Sequence, residues 1–284
     1  VAASETLKRV GVAIAGIPPA LAAVWMGGWV LAGLLALCAG LTAFELYRMA
    51  EKKPARPLAF LGSAGAAAIV LAAGAMPQEG VRNPLPTIAL VLLAITAACV
   101  CIWARGVEGE PLVSTAVTVF GAGYAALLGF GLYLRHLPDL RGELHGPALL
   151  LAPVLLTWIS DSAAYFGGRA FGRRKLIPRV SPGKTVEGAL SAIAGGVIGG
   201  IAYAYLLTSF WTYQPSLWEG ALLGLLVSVF AQLGDLAESL WKRDVGVKDS
   251  GTLLPGHGGA LDRFDSLIVT LPLGYAFFAL VVGP

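Results

Sequence analysis

The sequence predicts an all-α fold, a polytopic bundle of membrane-crossing helices. Three observations predict it. Of 284 residues, 57% are hydrophobic and only 13% are charged, where a soluble domain carries about 25% charged residues. The apolar residues run in unbroken blocks of roughly 20, the length that crosses a bilayer as a helix. The Lys and Arg residues between the blocks gather almost entirely on alternate loops. Together these exclude an ordinary soluble enzyme and a disordered chain. They also exclude an outer-membrane barrel, whose strands alternate apolar and polar residues.

Nine segments meet the length criterion. The first, 10–26, contains Pro18-Pro19, so it is expected to kink or re-enter. Only Gly27-Gly28 divides it from 28–47, and the two are also readable as one interrupted element, which would lower the count to eight. Segment 28–47 holds one buried-looking acid, Glu45. Segments 58–76, 85–104 and 113–134 are rich in Ala, Leu, Val and Gly and joined by short loops. Segment 148–168 ends in a polar stretch. Segment 188–208 carries the small-residue ridges Gly195/Gly199 and Gly196/Gly200, which predict close helix packing; a homodimer is the alternative use of such a ridge. Segment 217–240 ends in a polar stripe, and 266–282 closes the set.

Charge placement orients the bundle. With the N-terminus in the cytoplasm and nine crossings, the inner side holds Lys8, Arg9, Arg48, Lys52, Lys53, Arg56, Arg105, Arg169, Arg173, Arg174, Lys175, Arg179, Lys184, Lys242, Arg243, Lys248 and Arg263. The outer side holds only Arg82, Arg135 and Arg141, which completes the 20 basic residues. The C-terminus is then outside. A cleaved signal peptide is not expected, because the first apolar run leads straight into another with no small-residue exit. Cys38, Cys99 and Cys101 lie inside apolar runs, with neither a CxxC pair nor a Cys/His cluster, which argues against a disulfide framework and a structural zinc site. Residues 1–150 read as scaffold helices. Residues 151–284 read as helices carrying two loops with most of the unusual chemistry, in one continuous membrane domain.

The first unusual stretch is Trp158-Ile-Ser160-Asp161-Ser-Ala-Ala-Tyr165. An Asp within an apolar helix costs about 2.5–3.5 kcal/mol even on the lenient insertion scale. It therefore pairs, binds a cation or lines a wet cavity, unless it serves as an inter-helix hydrogen bond. Asp161 and Tyr165 share a face at i,i+4. The second stretch runs from Gly172 through Arg173, Arg174 and Lys175 to Ser181-Pro-Gly183-Lys184-Thr185-Val-Glu187-Gly188. Basic side chains beside Ser, Gly and Thr suit a polyphosphate, with Gly allowing backbone N–H groups to approach. It is not a P-loop, because Pro178 stands where that motif needs Gly. Lipid anchoring is the competing use of its Arg/Lys run.

The third stretch begins on a helix. Gln232, Asp235, Glu238, Ser239 and Lys242 form one polar stripe, with Glu238 and Lys242 spaced for an i,i+4 ion pair. Asp235 has no cation at i+3 or i+4. Six acids lie between 235 and 265 (Asp235, Glu238, Asp244, Asp249, Asp262, Asp265) out of 17 in the chain. Such density raises repulsion unless a cation neutralises it, and oxygen donors without thiolate favour Mg²⁺ or Mn²⁺ over zinc.

The pattern Ser239-x-x-Lys242-Arg243-x4-Lys248-Asp249-x-Gly251-x3-Pro255-x-His257-Gly258-Gly259-x-x-Asp262-Arg263-x-Asp265 resembles the signature of the phosphatidate cytidylyltransferase (CDP-diacylglycerol synthase) family. The stretches at 160–165 and 181–188 resemble that family's upstream segment, so the resemblance covers residues 158–265. It implies transfer of CMP from CTP to phosphatidic acid at the cytoplasmic face of a bacterial inner membrane. Asp235 and Asp262 are then the expected metal ligands, with Asp161, Asp249 and Asp265 as further candidates. Lys184, Lys248 and Arg263 are expected to hold phosphate, and Ser181 and Gly183 to donate hydrogen bonds. His257 is expected to bind phosphate or orient an acid. Asp161, Tyr165, Thr185, Lys242, Arg243, Gly258 and Gly259 complete the expected substrate contacts. The partners expected are CTP, phosphatidic acid and the bilayer, with no nucleic acid. Two alternatives remain from the residues: a CTP-dependent enzyme on another lipid (a CDP-archaeol synthase or polyprenol kinase), and a cation-coupled transporter. A transporter would place its acids near the midplane in two mirrored halves, whereas here they cluster with basic residues at helix ends.

Overall fold

The computed structural model describes residues 16–137, 146–210, 215–251 and 258–282. Each of the nine apolar segments meets a helix, the first only from residue 16 onward. The helices are α1 (Gly16–Met26), α2 (Gly28–Ala50), α3 (Ala59–Ala75), α4 (Leu85–Ala104), α5 (Pro111–Ala126), α6 (Phe130–Arg135), α7 (Gly146–Phe171), α8 (Val186–Phe210), α9 (Leu217–Asp244) and α10 (Leu261–Phe277). A 3₁₀ turn at Leu127–Gly129 joins α5 to α6, so the two form one apolar element of 25 residues. Among the described residues, seven elements are long and apolar enough to cross a membrane by length and composition. The protein is thus an all-α polytopic membrane protein. Helix α3, with 17 residues, rises about 26 Å, at the short end of the spanning range.

The boundary between the first two apolar runs is a backbone break. Gly27 and Gly28 have φ of 64° and 51°, the left-handed region that glycine enters without steric penalty. The groups freed there are taken up within the same unit. Arg135 Nε donates to Val24 O at 2.7 Å and its Nη2 to Trp25 O at 2.8 Å, capping the end of α1. The Gly28 N–H donates to His136 Nε2 at 3.2 Å. Burial and the neighbouring Arg135 charge hold His136 below its ordinary pKa, against the opposing pull of the Leu132 carbonyl, which keeps Nε2 an acceptor.

The chain gathers into two compact units: residues 1–136 with 244–264, and residues 137–243 with 265–284. The loop that carries the third motif therefore clusters with the N-terminal helices, a grouping that a linear division at residue 150 does not express. In the first unit, α2 packs on α3 and α5. Tyr47 is fully buried there and donates its hydroxyl to Thr118 O at 2.6 Å. Its ring lies against Gly62 and Gly121, where any Cβ would overlap it.

In the second unit, α7 packs on α8. Gly195 and Gly199 face Ala163 and Ile159 of α7, while Gly196 and Gly200 face the backbone of Gly224 and Gly220 on α9. Both ridges are used for helix packing within the unit, as the small-residue spacing predicts. Residues 175–185, for which the sequence suggested no strand, form an antiparallel hairpin of β1 (Lys175–Ile177) and β2 (Ser181–Thr185). Thr185 Oγ1 accepts the Gly188 N–H at 3.1 Å and caps α8.

Candidate active site

In the second unit the fold brings together residues from all three motif stretches. Lys184, on β2, places Nζ 2.7 Å from Asp235 Oδ2 on α9. Asp161 on α7 lies within electrostatic reach of both. Asp265 on α10 lies within reach of Asp235 and of Lys242, and is hydrogen-bonded with Glu238. Ser239 Oγ donates to Asp235 Oδ1 at 3.2 Å, one turn along α9. Asp235 finds no cation within its own helix, and the fold supplies one from 51 positions earlier in the chain.

The hairpin that carries Lys184 is pinned at its base and its tip. Glu187, in the first turn of α8, accepts the Arg173 and Arg174 N–H groups at 3.0 and 3.1 Å. At the other end, Arg243 Nε donates to Val180 O at 3.1 Å. Gly183 sits on the exposed side with open space beside it. The Arg/Lys run is thereby an ordered structural element. Lys242 pairs with Glu238 at 3.0 Å, the i,i+4 contact its spacing predicts, and both side chains are largely buried. Breaking such a buried pair costs about 3–5 kcal/mol, so Lys242 has a structural partner besides any substrate. Gln232 turns to the Ser228 carbonyl at 3.0 Å. Tyr165 accepts a hydrogen bond from Arg169 at 3.1 Å on an exposed face.

In the first unit, Asp262 sits in the opening turn of α10. Its Oδ2 accepts from Ser250 N at 3.0 Å and Gly259 N at 2.9 Å, and lies 3.0 Å from the Ser250 hydroxyl. Two backbone donors hold that oxygen in place. The Gly259 N–H, expected as a substrate contact, is spent on Asp262. Gly258 has φ of 80°, which favours glycine for conformational reasons. Lys248, Asp249 and Arg263 are exposed. His257 lies outside the described residues.

Sequence reasoning gave no role to three participants. Ser239 stands in the polar stripe four residues after Asp235, and that spacing was the signal for its bond; Ser250, which donates its N–H to Asp262, had no local signal. Glu45, noted as a buried acid, accepts from Ser250 Oγ at 3.0 Å and from Leu261 N at 2.9 Å. Its burial in an apolar helix was the available signal.

Among the described residues, no group of three or more His, Cys, Asp or Glu side chains converges to hold a metal with protein ligands alone. The oxygens around Asp235 are carboxylates and a hydroxyl, without thiolate.

A bundle of apolar helices that sets Lys184, on a basic hairpin, against Asp235 and Asp161 defines a class: an integral membrane protein with a charged cluster between a hairpin and its helices. The chain belongs to the cytidylyltransferase family, which it matches over residues 7–281. It is 38% identical to the phosphatidate cytidylyltransferase of Brucella suis biovar 1, over 92% of this chain and 88% of that one. It is 33% identical to the phosphatidate cytidylyltransferase of Synechocystis sp., over 97% of each. With the enzyme of the same name from Haemophilus influenzae it shares 44% identity over 49% of this chain and 48% of that one.

Proposed function

We propose that this chain is a nucleotidyltransferase that moves CMP from CTP to phosphatidic acid, giving CDP-diacylglycerol and pyrophosphate. The observation that carries this reading is the Lys184–Asp235 contact at 2.7 Å with Asp161 in reach. It joins a phosphate-type cation to carboxylates inside a member of the cytidylyltransferase family. A phosphate oxygen of the lipid attacks the α-phosphorus of CTP, a new P–O bond forms, and the bond to the β-phosphate breaks as pyrophosphate leaves. The nucleophile is already ionised near neutral pH, so no general base is required. Positioning and charge neutralisation then account for the catalysis.

Lys184 holds phosphate when nucleotide enters, exchanging its contact with Asp235 for one with the triphosphate. Ser181 and Gly183 on the same strand present donors beside it. The donor set around Asp235 suits Mg²⁺ or Mn²⁺, since Mg²⁺ is commonly held by one or two carboxylates plus phosphate oxygens and water. Asp235 is the proposed ligand, with Asp161 and Asp265 as further candidates in its unit; Asp262 is proposed in its own right. Such a cation supplies polarisation of the α-phosphate and offsets charge on the leaving pyrophosphate.

Incubation of purified protein with CTP radiolabelled in the cytidine ring, phosphatidic acid and Mg²⁺ tests the activity. A lipid-soluble labelled product supports it. A kinase would leave that label in water, and a transporter would make no labelled lipid. Replacing phosphatidic acid by another lipid phosphate separates the enzymes that use CTP on a different acceptor.

Two expected results follow from this reading. Lys184→Ala raises the apparent KM for a phosphate-bearing substrate and lowers kcat, because the charge contacts phosphate in ground and transition states alike. Unchanged kinetics for both substrates would leave only a lipid-anchoring use of the hairpin. The proposed orientation is the cytoplasmic N-terminus with the loops at 169–187 and 241–265 on the same side, resting on the charge split. In a background lacking Cys38, Cys99 and Cys101, a cysteine placed at Lys248 should label from the inner face. Labelling from the outer face refutes the orientation.

A further inference from the structure

Glu45 lies on α2, over 200 positions from the loop it touches. It is 6% exposed, and an acid that deep in an apolar helix needs a reason. One of its oxygens, Oε2, accepts two donors: the Ser250 hydroxyl at 3.0 Å and the Leu261 N–H at 2.9 Å. The two residues flank the glycine-rich stretch and stand at opposite ends of it. The same Ser250 hydroxyl lies 3.0 Å from Asp262 Oδ2. A serine hydroxyl carries one hydrogen; given to Glu45, it leaves the backbone N–H groups of Ser250 and Gly259 as the donors that hold Asp262.

The motif glycines close around this acid. A Cβ on Gly251 would stand 2.5 Å from Glu45 Oε1, and one on Gly259 would overlap both Glu45 Oε2 and Ser250 Oγ. A Cβ on Gly258 would stand 2.8 Å from Asp262 Oδ2. Phosphate approach is the ordinary explanation for glycines in such a loop. Here two of them, Gly251 and Gly259, are required by the carboxylate of a distant helix. Helix α2 thus supplies the acceptor that receives the Ser250 hydroxyl and the Leu261 N–H, and the backbone of Ser250 and Gly259 in turn donates to Asp262.

We infer that Glu45 is a positioning residue for the reaction: by receiving Ser250 and Leu261 it sets the loop that holds Asp262 in place. The inference rests on the cytidylyltransfer reading, in which Asp262 serves catalysis. Its action is geometric, through two accepted hydrogen bonds, so reach matters more than charge. Gln keeps the reach and an acceptor oxygen; Asp keeps the charge and is one carbon too short.

The test compares Glu45→Gln, Glu45→Asp and Glu45→Ala with Leu46→Ala, which removes a buried apolar side chain from the same helix without altering an acceptor. Two readouts are taken per folded molecule in the intact membrane protein: kcat and KM with CTP and phosphatidic acid, and amide hydrogen exchange at Ser250, Gly259 and Leu261. Glu45→Ala and Glu45→Asp should lower kcat about 100-fold, the scale of a small misplacement at a reacting centre. KM for CTP should move less than about threefold. Both variants should speed exchange at the three amides. Glu45→Gln should stay within about fivefold of the parent kcat and keep the amides protected, and Leu46→Ala should lose stability with kcat unchanged.

The reverse ordering, with Asp active and Gln inactive, overturns the inference, because charge would then be what counts. So does a kcat loss without faster exchange, or faster exchange without a kcat loss. If Glu45→Ala fails to fold, the Gln and Asp pair still decides. Should the parent protein make no labelled lipid while the exchange pattern follows Glu45 as described, the functional reading fails and the positioning of the loop stands.

Discussion

Asp235→Asn and Asp262→Asn are each expected to reduce turnover by about 10³-fold or more, the scale of losing a main electrostatic stabiliser. Both proteins should still insert and purify. Asn keeps the shape of Asp and removes its charge. At Asp235 that charge faces Lys184 at 2.7 Å and sits within reach of Asp161 and Asp265, so its loss releases the hairpin lysine and weakens any cation site. At Asp262 the amide oxygen can still accept from Ser250 and Gly259, which preserves the loop while removing the ligand. The measurement is kcat at saturating Mg²⁺ beside a check of folding. Near-normal kcat in either variant removes that residue from the proposed ligand set, and misfolding of both would assign the acids a structural role instead.

Chelation should have an effect of similar size. Treatment with EDTA is expected to bring activity to background, and Mg²⁺ or Mn²⁺ to restore it. The argument comes from charge: a nucleotide triphosphate entering beside Asp235, Asp161 and Asp265 adds negative charge to a negative site, and Lys184 offsets only part of it. A divalent cation carried with the phosphates removes most of that repulsion. Activity in EDTA above about a tenth of the Mg²⁺ rate would mean that lysine and arginine suffice for phosphoryl chemistry here.

What could be read along the chain follows interaction range. Spanning helices are set by runs of about 20 apolar residues, a local property; each of the nine segments meets a helix among the described residues, and seven of those elements are long and apolar enough to span. The Glu238–Lys242 pair was legible because four residues bring side chains together on one helix face. The ridges at Gly195/Gly199 and Gly196/Gly200 were legible for the same reason. The hairpin at 175–185 was not, since strands of three and five residues give too short an alternation to register, and Pro178, Pro182 and Gly183 advertise only a turn. The Lys184–Asp235 and Glu45–Ser250 contacts join residues 51 and 205 positions apart. Motif spacing places such residues on the same list and says nothing of who touches whom.

The backbone contact of α8 with α9, where Gly196 and Gly200 meet Gly224 and Gly220 without room for a Cβ, bears on how mutational tolerance should be interpreted. In lipid there is no hydrophobic force between helices, and close packing of small residues takes its place. These four glycines will therefore tolerate replacement as poorly as the acids do, although none carries a reacting group. A survey of growth or expression would rank them beside Asp235, and the most sensitive positions would then sketch the helix contact as much as the chemistry. Only rate per folded molecule separates the two kinds of intolerance: glycine variants lose protein, and acid variants lose turnover.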